Sequence, residues 1–270
     1  MIIVRGAGDI STGTIHRLFC AGFPVLALET GHPSAIRRQV AFSEAVYDGT
    51  AAVEDVTAIR IDDAEQAENV LKQGKVPLLV DPSGESIRRL KPDAVVDAIL
   101  AKRNLGTSME MAPLTIALGP GFEAGKDVHY VIETMRGHNL GRIISAGSAA
   151  ANTGIPGIIG GYGAERVIHS PAAGHFRQLR EIGDEVRAGE AIGTILSGDK
   201  EIPVNTQITG ILRGIIRDGF PVSEGFKLAD VDPRLEEKKN CFTISDKARC
   251  IAGSVLELVT SQANRGRHPG

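Results

Sequence analysis

The chain opens on a strand, helix, strand pattern. Ile2-Ile3-Val4 is β-branched and ends on Arg5 and Gly6, which predicts a buried strand. Thr14 to Ala21 has a helical spread of apolar positions, closed by Gly22 as a C-cap. Pro24 to Glu29 predicts a second strand that ends in an acid. Further strands are expected at Val76 to Val80, Ala94 to Val96, Leu114 to Leu118 and His129 to Ile132, with helices near 34–43 and 63–73. Strands alternating with helices predict an α/β fold: a Rossmann-like, mostly parallel sheet with helices on both faces. Beyond a charged connector, Leu235 to Asn240, a strand is expected at Cys241 to Ile244. Ser245 and Asp246 then cap a helix whose apolar residues are Ala248, Ile251, Ala252, Val255, Leu256 and Val259.

The pattern changes after residue 165. Segments Ala173 to Gly189 and Thr209 to Gly225 align without a gap, 36 residues apart. Gly174 meets Gly210, Gly183 meets Gly219 and Gly189 meets Gly225. Phe176 meets Leu212, Leu179 meets Ile215 and Val186 meets Val222, and the match runs on through Ile192/Leu228 and Ile195/Val231. Glycines recurring at turn positions between short strands predict two copies of one β unit. This half resembles the biotinyl/lipoyl-like barrel-sandwich hybrid, on Pro171-Ala172-Ala173-Gly174 and on the Gly183 to Gly189 segment. Carriers of that kind present a modified lysine from a Met-Lys-Met hairpin. Here the hairpin runs Ser197 to Pro203, Asp199 takes the carrier position and Lys200 stands one residue off, so a non-carrier barrel used for packing or docking is expected. The expected organisation is a nucleotide-binding domain over 1–165, a barrel over 166–233, and a strand and helix over 234–262 packing back on the first domain.

The order strand, glycine-rich turn, helix, strand, acid is that of dinucleotide-binding proteins. Gly6 permits a tight turn, and Gly8 would let a pyrophosphate approach the backbone. Asp9, Ser11, Thr12 and Gly13 complete the loop and the first helical turn; the hydroxyls would donate to phosphate or cap the helix. Glu29, 21 positions beyond Gly8, is placed to accept from a ribose hydroxyl. The third fingerprint position holds Ser11, with Gly13 two residues late; a turn that binds nothing is the alternative. Arg37 and Arg38 leave room for a 2′-phosphate.

Two further polar loops follow strands. Gly119-Pro120-Gly121 is one; Glu133 to Arg142 is the other, with Glu133, Arg136, His138, Asn139 and Arg142 within ten residues. Such a cleft would clamp an anion or shuttle a proton, which makes Glu133 and His138 the candidate catalytic pair; a solvated loop of local ion pairs is the alternative. The small-residue stretch from Gly147 to Gly161, with Asn152, would form a backbone cradle for a phosphate-bearing cofactor or a packed crossover.

Composition narrows the partners. Net charge is −3 and aromatic residues make up 4% of 270, with no Trp, which speaks against nucleic acid and against membrane-interface belts. The first residues are too short an apolar run for a signal peptide, and the expectation is a cytoplasmic protein with no membrane segment. Cys20, Cys241 and Cys250 do not suggest a disulfide framework or a zinc cluster; Cys20 and Cys250 are expected in the core, and no metal site is expected.

Taken together, the chain resembles the YqeB-type family, named for the selenium-dependent molybdenum hydroxylase system. The carrying motifs are Arg5 to Ile10, Ala35 to Arg38, Phe42 to Tyr47, Lys91-Pro92-Asp93 through Thr107, and Ala117 to Phe122. Glu133-Thr134 with Arg136-Gly137-His138, Leu140-Gly141-Arg142, Asn152 to Gly157 and Phe242 to Arg249 complete them. The resemblance implies an accessory protein that matures or equips a molybdenum hydroxylase. On this reading the glycine loop binds NAD(P), another nucleotide or a molybdopterin-type cofactor. The partners are a small phosphate-bearing ligand and the hydroxylase or its maturation proteins, with a homo-oligomer in view. The alternatives are a free-standing NAD(P)-dependent oxidoreductase and a non-catalytic docking module.

Overall fold

The computed structural model describes residues 1–152, 154 and 157–265, Arg265 by its backbone alone. The tail expected to fray, and Thr153, Ile155 and Pro156 of the small-residue stretch, lie outside the described residues. The chain divides into two compact units.

The first unit gathers Met1–Pro33, Ala41–Thr153 and Ile244–Gly270. Its strands are β1 (Ile2–Arg5), β2 (Val25–Glu29), β3 (Thr50–Val53), β4 (Val56–Ile61), β5 (Val76–Val80), β6 (Ala94–Asp97), β7 (Leu114–Leu118), β8 (Tyr130–Ile132) and β9 (Ile143–Ile144). Its helices are α1 (Asp9–Cys20), α2 (Ala45–Asp48), α3 (Ala67–Lys72), α4 (Glu85–Leu90) and α5 (Asp246–Arg265). The strands make one sheet in the order β3-β4-β5-β2-β1-β6-β7-β8-β9. Pairing is parallel from β4 through β8, and β3 and β9 close the two edges antiparallel. β1 is buried along its whole length, as a central strand covered on both faces must be. On one face Ile3, Leu26, Leu28 and Val95 pack with Ala67 and Val70 of α3 and Ile87 of α4. α1 packs against β2 and α5, and α5 reaches β7 and β8.

The second unit joins Ser34–Val40 to Gly154–Thr243. Its strands are β10 (Val167–His169), β11 (Gly174–Gln178), β12 (Glu185–Val186), β13 (Ala191–Ser197), β14 (Lys200–Asn205), β15 (Gly210–Ile215), β16 (Pro221–Val222) and β17 (Lys227–Asp232). They form two antiparallel four-stranded sheets, β10-β17-β15-β12 and β14-β13-β11-β16. The 36-residue offset maps β11, β12 and β13 onto β15, β16 and β17. The short members change places: β12 pairs with β15, and β16 with β11. One core, including Phe176, Ile195, Leu212, Ile215 and Val231, fills this unit.

The expected fold, a Rossmann-like sheet beside a biotinyl/lipoyl-like barrel, is corrected. The first unit is a mixed nine-stranded sheet rather than a plain parallel one, and its connections from β6 to β7 and from β7 to β8 carry no α-helix. α5, from the far end of the sequence, packs where those crossover helices would stand. The hairpin of β3 and β4 turns on only Glu54 and Asp55, with Glu54 at φ 54°, a turn that offers no Gly or Asn to announce it. The second unit is a pair of four-stranded antiparallel sheets.

Local expectations fail for similar reasons. The helix expected at 34–43 is two 3₁₀ turns, Arg38–Val40 and Phe42–Glu44. The strand expected at Cys241 to Ile244 is displaced by a 3₁₀ segment, Leu235–Phe242. Cys20 and Cys250 are exposed, and only Cys241 is core. No helix among the described residues is long and apolar enough to cross a membrane.

Candidate functional site

The polar loops of the first unit meet where parallel strands end, the position at which open α/β sheets collect ligands. β1 ends in Arg5 and turns at Gly6, φ +95°, where an added Cβ would stand 2.9 Å from the Ala98 carbonyl oxygen. Only glycine fits there. The turn then uses its own polar groups internally. The Gly6 N–H donates to the Leu28 carbonyl at 2.7 Å. The Ala7 N–H donates to Glu29 Oε2 at 2.7 Å, and the Thr30 N–H to Glu29 Oε1 at the same distance. Burial pushes the Glu29 carboxyl above its usual range, against the pull of those two N–H groups. Ser11 Oγ donates to the Gly8 carbonyl and Thr12 Oγ1 to the Ala7 carbonyl, while the Phe42 N–H donates to Thr12 Oγ1. Gly13 faces α5: its Cβ would lie 2.8 Å from the Ala248 Cβ.

That close approach brings the heads of α1 and α5 side by side, and a charged cluster stands there. Lys247, in the first turn of α5, is partly buried. Burial pushes its ammonium below the usual lysine range, the Arg136 guanidinium adds to the effect, and Asp9, Glu133 and Asp246 oppose it. Arg136 itself is anchored to Asp246 by two hydrogen bonds, 2.8 and 2.9 Å. The buried Glu133 carboxylate accepts from the Met135 N–H at 2.7 Å and from the Ala150 N–H at 2.8 Å, so it shapes the loop that carries Arg136. Burial and the Arg136 guanidinium favour loss of the Lys247 proton, and the three acids favour keeping it.

A second buried network stands at the ends of β1 and β6. Arg5 Nη1 donates to Thr107 Oγ1, and Thr107 Oγ1 donates to Asp97 Oδ2 at 2.6 Å. Arg5 Nη2 also donates to the Pro82 carbonyl at 3.1 Å. Burial raises the Asp97 carboxyl although Thr107, the Ile99 N–H and Arg5 all favour its charged form.

Of the residues singled out from the sequence, Gly6, Gly8, Asp9, Ser11, Thr12, Gly13 and Glu29 therefore lie in one turn and its helix. Asp9, Glu133 and Arg136 share the Lys247 cluster. Gly119 ends β7 beside β8, donating to the Ile132 carbonyl, and an added Cβ there would meet Thr134 Oγ1 at 2.6 Å. Gly121 packs on the Arg103 backbone. His138 and Asn152 are exposed on their loops. Lys247 was missed: it follows a capping Ser-Asp pair, so its pattern reads as an ordinary first turn. A further group, His16, Cys20 and Asp55, places potential metal-binding atoms within 4.8 Å of one another. The His-x-x-x-Cys spacing on α1 was a visible signal, but Asp55 comes from a hairpin that only the fold supplies.

No protein-family model matches the chain. Over 266 residues, 98% of its length, it is 48% identical to the uncharacterized protein YqeB of Escherichia coli (strain K12). The aligned part is 48% of that protein, so the chain spans about half the length of the curated relative it matches. This supports the YqeB-type family at the level of sequence and carries no assigned role. Among solved structures, the apo ectoine utilization protein EutE (DoeB) from Ruegeria pomeroyi has a TM-score of 0.27 at 9% identity, covering 85% of each chain. A succinylglutamate desuccinylase/aspartoacylase from Rhodobacter sphaeroides has a TM-score of 0.27 at 14% identity, covering 81% of this chain and 62% of that one. The names of these proteins, an ectoine utilization protein and a desuccinylase/aspartoacylase, give no support to the expected roles of molybdenum hydroxylase accessory, selenium-system component or NAD(P)-dependent oxidoreductase. At that TM-score the likeness carries no argument for this chain's own chemistry.

Proposed function

We propose that the first unit binds a small anionic organic molecule at the heads of α1 and α5, with Lys247 as its proton-transferring group. The observation behind the reading is the partly buried Lys247, lowered first by burial and then by Arg136, between Asp9 and Glu133. The two helix heads add positive potential. Lys247 is a better candidate than His138, which is exposed on its loop. Asp9 and Glu133 face the Lys247 ammonium, and Arg136, fixed by Asp246, orients the ligand's anionic group.

Native mass spectrometry of the purified protein, beside the Lys247→Met variant, tests this. The expected result is a co-purifying anionic molecule on the wild type that is lost in the variant; nucleotides and pterin phosphates are two classes the measured mass would identify. Competitive amine labelling across pH should also place Lys247 below the surface lysines. A bound mass that survives the substitution, or a Lys247 midpoint at the ordinary lysine value, refutes the reading.

A further inference from the structure

His16 and Cys20 stand one turn apart on α1, so both side chains leave the same face of the helix. Cys20 Sγ lies 3.8 Å from His16 Nδ1, and His16 Nε2 lies 2.7 Å from Asp55 Oδ1. Asp55 comes from the tip of the β3–β4 hairpin, and that tip is tied down independently. Glu54 accepts from the Ile244 N–H at 2.9 Å and from Arg249 Nη2 at 2.6 and 2.8 Å. The third donor is thus delivered to the helix by contacts that do not involve His16 or Cys20.

We infer that His16, Cys20 and Asp55 form a binding site for a divalent ion of the zinc class. The chemistry of the donors chooses the ion. A thiolate and an imidazole suit zinc and its neighbours, whereas calcium and magnesium take oxygen ligands. Donors bound to one zinc at about 2.0–2.3 Å end up roughly 3.3–3.8 Å apart; here one donor atom from each residue lies within 4.8 Å of the others, so the set closes slightly on the ion. Charge agrees. A Cys20 thiolate and the Asp55 carboxylate neutralise a doubly charged ion, with Glu54 3.8 Å from His16 Nε2 adding negative field. Arg17 and Arg249 face the cluster from α1 and α5, so it is neutral while Cys20 is a thiol and carries one net negative charge once Cys20 is a thiolate. Binding releases the Cys20 thiol proton to solvent and replaces the His16–Asp55 hydrogen bond with two metal bonds. Three protein donors leave a fourth position for water, because Cys20 and Asp55 are exposed. The ion would pin the hairpin to α1. The inference is independent of the ligand proposed at Lys247.

The test is a cobalt titration of the chelator-stripped full chain. The expected result is a thiolate-to-cobalt charge-transfer band and visible ligand-field bands that saturate at one equivalent and are displaced by zinc. Cys20→Ser should abolish the charge-transfer band, and His16→Gln should weaken binding at least about tenfold. Cys250→Ser should leave both unchanged. Zinc should raise the melting temperature of the wild type and not of Cys20→Ser, with circular dichroism confirming that each variant is folded. Absence of the thiolate band, or its persistence in Cys20→Ser, overturns the inference and leaves His16–Asp55 as a plain hydrogen bond between helix and hairpin.

Discussion

Replacing Gly13 by Ala separates two effects that oppose each other. Gly13 is buried in α1, and alanine is the better helix former there by about 1 kcal/mol. Its new methyl, however, would stand 2.8 Å from the Ala248 Cβ and 3.1 Å from the Ala248 carbonyl carbon and oxygen. Two of those three atoms are backbone, so relief requires α1 and α5 to move apart. Overpacking of this kind costs about 1–3 kcal/mol. Gly253 supplies the control: it lies within α5, and its Cβ would meet nothing within 4 Å. Gly253→Ala should therefore stabilise by about 1 kcal/mol, while Gly13→Ala should be neutral to about 2 kcal/mol destabilising. Urea denaturation of the three proteins reads the difference as a shift in midpoint at constant slope. Gly13→Ala at least as stable as Gly253→Ala would show that the two helices do not touch at this position, and the Lys247 cluster would lose its frame.

The broken symmetry of the repeat gives a second measurement. Ile215 is fully buried but its mate Leu179 is 55% exposed, so Ile215→Ala should cost about 2–5 kcal/mol and Leu179→Ala no more than about 0.5 kcal/mol; equal losses would place both in the core. Thr107→Val should cost about 1–3 kcal/mol, because it strips partners from the buried Arg5 and Asp97, and a neutral result would mean that network is dispensable. The raised carboxyls of Glu29 and Asp97 hold their protons to higher pH folded than unfolded. The stability they contribute is complete below the ordinary carboxylate range and is lost as pH rises through their folded values. Glu29→Gln should flatten denaturation midpoints measured from about pH 4 to 7, and an unchanged slope would remove Glu29 from that account.

Much of the local structure was legible along the chain. Short apolar runs become β1, β2 and β5 because a strand covered on both faces favours apolar residues on each. The 36-residue recurrence survives as strand-for-strand correspondence, since turn glycines and apolar positions are local requirements. Neither α5 filling the place of absent crossover helices nor Glu29 turning onto the Ala7 N–H was legible, because both depend on partners distant in sequence. The candidate sites divide in the same way. The sequence alone determines a glycine turn leading into a helix, a polar loop after β8, and a histidine and cysteine one turn apart. Tertiary packing decided that Lys247 stands with Asp9 and Glu133, and that Asp55 stands over His16. The reason is physical: a residue's charge and shape are its own, but its desolvation and its partners belong to whatever the fold packs against it.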